Sequence, residues 1–544
     1  MVNKRTPLAN QLRLINEQYD RRIASTVIKD IKVRVPKSIS GSFLISLMPV
    51  GELDPKRWKE SAWYVINSII EQEDKEEYKR GNWNGRGFVP LNHLFLRHII
   101  SQEYTKKILD ALTNAKVIDR DNSWSSDVVS QGYKINETHQ HQGLKFRTLT
   151  NDKIVKSYSN FRAEELEKQK KRIHKHAHLV KWFLNGNLKL NMFAAIKYLH
   201  QLSIYSNLLI KDKKLEPELE EKAITLLNDS SLSAYQNIKY WGIKTASRLS
   251  VDNKGMRMHT PLTQMLSPLR NFLYYTENNV NKPLIYLDIS NSQPYHLLYT
   301  LHPNFWLSEG PIILKKLNSK LSEYLRQEEA ENVSLTTMMI KKKFKSSGSI
   351  ATRGLLRSSD TRTKYGKLVV EGKLYKFISD EFRGQFVSKS KVDYFGNESL
   401  AKLSVIKLLY FNNKEPYSSS QKPFKKFALL FPEVAAVIKL LKSRDYADLA
   451  ILLQKMESEI LLRIVAKNIF KSNSNIPLYS IHDGIITTEE HGLVVKQEIL
   501  NTYKQIFGVE PNLKFMELSE KAALGDIMKE AIKRTNKIFS KLES

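Results

Sequence analysis

LIYLDISNSQPYHLLYTL, residues 284–301, is the stretch on which the fold reading turns. A short apolar strand, Leu284 to Leu287, delivers Asp288, and a helix-compatible run follows from Gln293. A carboxylate at the end of a buried strand, beside a turn, can hold a metal while a backbone carbonyl adds a second ligand. Its counterpart is IPLYSIHDGIITTEE, residues 476–490. Strand Ile476 to Ile481, a tight turn at His482-Asp483-Gly484 and strand Ile485 to Thr488 predict a hairpin with an acid at its tip. Two such acids on adjacent strands would hold two divalent ions about 3.5–4 Å apart, across the attacking and leaving oxygens of a phosphoryl transfer. Close carboxylates repel one another, and cations with an incoming triphosphate offset that repulsion. Spacing alone leaves open a pair of unrelated turn aspartates.

The rest of the composition suits this chemistry. At about 100–200 residues per domain, 544 residues predict three to four domains. A 41% hydrophobic fraction with 24 Tyr and 22 Phe fits folded cores. Lys and Arg number 86 against 57 Asp and Glu, a net charge of +29 that points to a polyanion, nucleic acid first. The absence of Cys excludes disulfides and Cys-ligated zinc. The start, MVNKRTPLANQLRLINEQYD, has no apolar core of signal-peptide type, and no run approaches the roughly 18 apolar residues of a membrane span. A cytoplasmic protein with no membrane partner is expected.

Residues 1–80 carry strand-like runs (Phe43 to Val50) without an assignable role, and GNWNGRG at 81–87 reads as a boundary loop. PLNHLFLRHII places Leu91, Leu94, Phe95 and Ile99 on one helical stripe. A polar break at Ser101 to Glu103 precedes YTKKILDALTNAK, with Ile108, Leu109 and Leu112 apolar, then VIDRD, SWSSDVVSQG and YKIN. Helix, tight turn, helix and ribbon resemble the winged helix-turn-helix of replication initiators and regulators. Lys106 and Lys107 lie on the exposed side of the second helix, where phosphate is contacted; a protein-interaction module is the alternative. Residues 160–250 read mostly as helix, with a Lys/Arg-rich stretch between Lys168 and Lys181. On a helix, His174, His176 and His178 spread over two faces, against a zinc site.

DISNSQPYHL resembles motif A of family A DNA polymerases, the DNA polymerase I type, placing Asp288, Ser290 and Gln293 at its Asp, Ser and Glu positions. IHD at 481–483 resembles motif C of that family and of phage-type single-subunit RNA polymerases. GMRMHTPLTQMLSPLRNFL resembles the segment upstream of motif A and nominates Arg257 and Arg270 for primer–template or substrate contacts. KLSVIKLLYFNNKE resembles motif B, a fingers helix on which Lys402, Ile406 and Tyr410 share one face. The resemblance implies that Lys402 meets the triphosphate and Tyr410 the sugar and base. LLQKMESEILL resembles the helix before motif C and nominates Gln454, which joins His482 as a nucleic-acid contact. The match covers roughly residues 251–520, as short motifs in the family's order. It departs at Gln293, where Glu is usual, at Glu398, where a cation is usual, at Phe411, where Gly is usual, and at Gly484, where Glu or Ser is expected. Lys389, Lys391 or Lys407 would have to supply the charge missing at Glu398. The basic stretch IKKKFKSSGSIATRGLLRSSDTRTKYGK between motifs A and B would contact template phosphates.

The resemblance implies an α+β multidomain chain, a right-hand polymerase preceded by a winged helix-turn-helix. Its expected parts are an N-terminal region (1–80), a winged helix (81–140), a helical thumb-like region (141–250), palm (251–300), fingers (301–470) and palm again (471–544). Its expected activity is DNA-directed DNA synthesis on a primer–template from nucleoside triphosphates. Asp288 and Asp483 would hold two Mg²⁺ ions, with Mn²⁺ as the alternative. A single-subunit RNA polymerase or primase, with RNA as template or product, is the second reading. A DNA-binding initiator with a degenerate palm is the third. No acid array of the proofreading kind stands upstream, so no exonuclease is expected. Gln293, nearly the size of Glu, predicts a preference for deoxynucleotides that is leaky.

Overall fold

The computed structural model describes residues 7–80, 88–91, 93–121, 132–140, 142–242, 248–301, 361–384, 396–411, 421–442 and 445–542. Among these the chain is a mixed α+β protein, mostly helical with small antiparallel sheets. The loop 81–87, most of the stretch 123–132, the segment from Ile340 to Asp360, Lys389 and Lys391 lie outside the described residues. Two compact units divide the chain. One takes residues 13–171, 203–230 and 529–544; the other takes the described residues among 1–12, 172–202 and 231–528.

In the first unit, α1 (Pro55–Arg80) precedes β1 (Val89–Pro90), α2 (His93–Ile100), α3 (Gln102–Asn114), β2 (Ile118–Arg120) and β3 (Gly132–Ile135). Strand β3 lies between β1 and β2, antiparallel to both, with Val89 opposite Tyr133 and Ile118 opposite Ile135. Val65, Ile66 and Ile69 of α1 share one buried core with Ile108, Leu109 and Leu112 of α3 and with Tyr133. Trp58 ties the base of α1 down, donating its indole N–H to Leu44 O at 2.8 Å and meeting Tyr104 edge-on at 5.7 Å. The two helices expected over 90–116 are present, joined at Ser101, whose φ of +70° turns the chain within one residue. The stretch from Phe43 expected as strand is instead a helix, Gly41–Ser46. Ser40 caps it by accepting the Phe43 N–H at 3.0 Å, and this local bond outweighs the β-prone composition. The strand of this region is Ile31–Pro36, paired antiparallel with Leu144–Leu149.

In the second unit, β4 (Leu284–Ile289) leads through Asn291, with a left-handed φ of +55°, into α4 (Ser292–Thr300). Later come α5 (Glu398–Tyr410), α6 (Ala447–Ser458), β5 (Tyr479–Ile481), β6 (Gly484–Thr488), α7 (Gly492–Phe507) and β7 (Leu513–Leu518). The four strands form one antiparallel sheet in the order β5-β6-β4-β7. Asp288 lies opposite Gly484 on one side and Lys514 on the other. Period two puts Tyr286 and Asp288 on one face of β4 and Ile285, Leu287 and Ile289 on the other. Helix α7 covers the second face so closely that a Cβ at Gly492 would stand 2.1 Å from Ile285 Cδ1. Tyr295, His296, Tyr503 and Phe507 pack ring against ring and pin α4 to α7.

Gly484 is a steric requirement of this sheet. A Cβ there would lie 2.4 Å from the Tyr286 ring and 2.5 Å from Leu287 O, and the carbonyl is fixed by the ladder. Gly484→Ala is therefore expected to lower stability by about 1–3 kcal/mol, read as a lower urea midpoint. An unchanged midpoint would mean that Tyr286 does not lie over β6.

Candidate active site

Asp288 and Asp483 come together because the β5–β6 turn is only two residues long. Ile481 pairs with Gly484, leaving His482 and Asp483 at the tip, with His482 at φ +41°. The Ile289 N–H points to Asp483 O at 3.4 Å, and Tyr286 donates its hydroxyl to Asp288 Oδ1 at 3.1 Å. Burial raises the Asp288 pKa to about 6, with the Asp483 charge adding to it; Tyr286, Lys514 and Lys402 pull the other way. Burial likewise raises Asp483 to about 6, with the charge of Glu457 adding, against Arg257 and Lys402. Neither carboxylate forms an ion pair among the described residues. His482 is held neutral, its pKa lowered to about 4 by burial and by Arg257, Arg270 and His259.

A buried network backs this pair. Glu457, on α6, is 1% exposed, and its Oε1 accepts from Arg257 Nε at 3.1 Å and Nη2 at 2.7 Å. Its Oε2 accepts from Ser292 Oγ at 2.9 Å and from the Gln293 amide nitrogen. Burial raises the Glu457 pKa, and the Arg257 charge opposes that shift. Arg257 is aimed by the loop before it. Asp252 Oδ1 accepts the N–H groups of Lys254, Gly255 and Met256, and Oδ2 accepts that of Arg257 at 2.9 Å. Burial alone would raise Asp252, but His259 and these backbone donors hold it at about 2. Gly255 leaves room for Gln454, whose Oε1 would lie 2.5 Å from a Cβ there. Gln454 in turn donates to the Tyr410 hydroxyl at 3.3 Å.

Helix α5 presents the cationic side. Lys402 is exposed, and its charge stabilises both ionised aspartates. Ile406 and Tyr410 are half-buried on the same face. The helix end is braced from behind by buried Lys442, which donates to Leu408 O at 2.8 Å and Phe411 O at 2.5 Å. Burial depresses Lys442 to about 7.

The structure thus brings Asp288, Asp483, Gln293, Lys402, Tyr410, Gln454, Arg257, Arg270 and His482 into one neighbourhood. Arg270, expected as a nucleic-acid contact, braces the backbone, donating from Nε to Leu262 O at 3.1 Å. Buried Ser290 donates its N–H to Asn512 O at 2.8 Å. Lys106 and Lys107 belong to the other unit. Both are exposed, and Lys107 pairs with Glu103 at 2.6 Å. The His174–His178 stretch is broken rather than continuous, because one helix ends at His174 and the next begins at Ala177. His178 Nε2 is hydrogen-bonded to Leu462 O at 2.8 Å, a carbonyl in the π-helical turn Glu459–Val465 that continues α6.

Sequence reasoning passed over Glu457, Tyr286, Asp252 and Lys514. Glu457 stands three residues after Gln454, on the same side of the helix, and Tyr286 two before Asp288, on the same side of the strand. Those two were within reach of periodicity. Lys514 needed the strand register, and the Asp252 loop needed its backbone geometry.

Among the described residues no group of three His, Cys, Asp or Glu side chains has metal-holding geometry. The donor set at the sheet is two carboxylates whose ionised forms lack a direct counter-charge, and hard oxygen ligands of this kind fit Mg²⁺. Because the folded pKa values are raised from 3.8 to about 6, stability falls as pH rises through that window and stays low above it. In chelator, Asp288→Asn or Asp483→Asn should gain about 1–3 kcal/mol at pH 7 and nothing at pH 3.5. Melting at both pH values checks this, and a loss at pH 7 would contradict it. A scan against protein-family models gives no match to this chain, and no curated protein matches it.

Proposed function

We propose that this chain is a template-directed nucleic-acid polymerase of the family A kind, first of all a DNA-directed DNA polymerase. The observation that carries the reading is that motif segments far apart in sequence meet around one acid pair. Arg257 and Glu457, for instance, are bonded across 200 residues. On this reading the four-stranded sheet is the palm, α5 the fingers helix, and the helices between residues 152 and 239 the thumb.

Asp288 and Asp483 would hold two Mg²⁺ ions, which supply Lewis-acid stabilisation of the attacking and leaving oxygens. The remaining work falls to side chains. Lys402 binds the triphosphate as an exposed point charge on a helix fixed by Lys442. Tyr410, held by Gln454, packs beside the sugar and base. Glu457, paired with Arg257 and bonded to Ser292 and Gln293, keeps α4 and α6 in register under the nucleotide. In the other unit, the order helix, strand, two helices and ribbon suits a winged helix-turn-helix, with α1 as its first helix. That module would bring DNA through Lys106 and Lys107.

A second reading, an RNA polymerase or primase, is favoured by one observation. The Gln293 side-chain oxygen is buried without a partner among the described residues, as an acceptor for a ribose hydroxyl would be. No helix among the described residues is long and apolar enough to cross a membrane.

Asp288→Asn and Asp483→Asn should each abolish nucleotide incorporation on a primed template, at least a thousandfold in rate. Millimolar Mg²⁺ should raise the melting temperature of the unmutated protein and of neither variant; equal gains in all three would remove the ions from this pair. Lys106→Ala with Lys107→Ala should weaken duplex binding and flatten its salt dependence by about one unit of slope per lost phosphate contact. Incorporation at saturating primer–template should stay near normal. Unchanged binding would make the module a protein-interaction element.

A further inference from the structure

Gln293 differs from the acid that its motif predicts, and the structure gives the replacement a definite orientation. Glu457 Oε2 accepts from the Gln293 amide nitrogen while the same carboxylate takes two N–H bonds from Arg257 and the Ser292 hydroxyl. Both Glu457 oxygens are occupied as acceptors by Arg257 and Ser292, so the amide meets them with its NH₂. The planar group then turns Oε1 away from Glu457. That oxygen is buried and has no partner among the described residues. A buried acceptor without a donor is unfavourable, so the site gains from any ligand that brings a donor there.

We propose that Glu457 is a positioning residue that fixes the Gln293 amide, so that Gln293 Oε1 accepts a hydrogen bond from the 2′-hydroxyl of an incoming ribonucleotide. This rests on the polymerase reading, which puts the nucleotide sugar over residue 293. A glutamate at this position would meet the Glu457 carboxylate directly, and repulsion between them would turn it elsewhere. Glutamine keeps the volume and replaces that repulsion with a hydrogen bond. The site therefore takes both sugars, and it selects by a donor rather than by size alone.

The test is single-nucleotide incorporation by the full chain on a pre-annealed primer–template with Mg²⁺. Deoxy-, ribo- and 2′-fluoro-nucleoside triphosphates are compared by kcat/KM. The 2′-fluoro compounds are close to the ribonucleotide in size but bring no donor. In the unmutated protein the ribonucleotide should run within about a hundredfold of the deoxynucleotide and ahead of the 2′-fluoro compound. Gln293→Met, near-isosteric and without an acceptor, should lower ribonucleotide kcat/KM roughly ten- to hundredfold more than it lowers deoxynucleotide kcat/KM. Glu457→Gln should shift the ratio the same way, since a neutral partner no longer dictates which end of the amide it meets. A structural role alone would move all three substrates together and leave their ratios unchanged, and that result overturns the proposal. So does a 2′-fluoro compound that matches the ribonucleotide. A shift with Gln293→Met but none with Glu457→Gln removes Glu457 as the positioning residue. If the unmutated protein incorporates neither sugar on any primed template, the polymerase reading fails and takes this proposal with it.

Discussion

The buried ion pair between Arg257 and Glu457 is the interaction on which the candidate site depends. An ionised carboxylate at 1% exposure is tolerable only when paired and fully hydrogen-bonded. Glu457 meets that condition by taking four donors from three residues in two separate segments. The loop ending at Arg257, the start of α4 and the last turn of α6 are thereby fixed to one point. Losing one partner of such a pair typically costs about 3–5 kcal/mol, because a bare buried charge remains. That penalty makes the arrangement close to all-or-none. The Asp252 loop, which orients Arg257 with four backbone N–H bonds, serves the same end from outside.

Against this satisfied charge stand two unsatisfied ones. Asp288 and Asp483 are crowded by burial, by each other and, for Asp483, by Glu457. Their environment holds cationic groups at a distance, Lys402 and Lys514 among them, and no ion-pair partner among the described residues. Such a site is locally unstable by construction, and the strain is relieved by whatever brings positive charge between the two carboxylates. The sheet supplies the stiffness that prevents the acids from relaxing apart. Tyr286 bridges to Asp288, its ring fills the space over Gly484, and α7 closes the opposite face.

Much of this was legible in the sequence. The strand ending at Asp288, the hairpin with Asp483 at its tip, α5 with Lys402 and Tyr410 on one face, and the closing helix and strand all follow from periodicity and turn chemistry. The pairing of β4 with both β6 and β7 did not, because register is a long-range choice between strands that look equally apolar. Glu457 was hidden for a related reason. A Glu in a helix reads as solvent-facing, and only the three-dimensional approach of Arg257 makes a buried one affordable in charge. The Phe43 stretch misled in the opposite direction, since β-prone residues were overruled by a single capping serine.

The two departures at the acid pair are matched by neighbours rather than scattered. Gly484 is small because Tyr286 covers it, and Gln293 is neutral because Glu457 lies beside it. In both cases the substituted position and its compensating partner are in direct contact, and in both the partner acts on the acid pair, Tyr286 by its bond to Asp288 and Glu457 by its charge on Asp483. This bears on the reading in which the sheet is a remnant serving only DNA binding. Two acids buried with raised pKa values make a fold less stable at neutral pH, and neutral side chains of the same size would relieve that. On the proposed reading, surroundings fitted this closely around an unfavourable charge pair are those of a cation site.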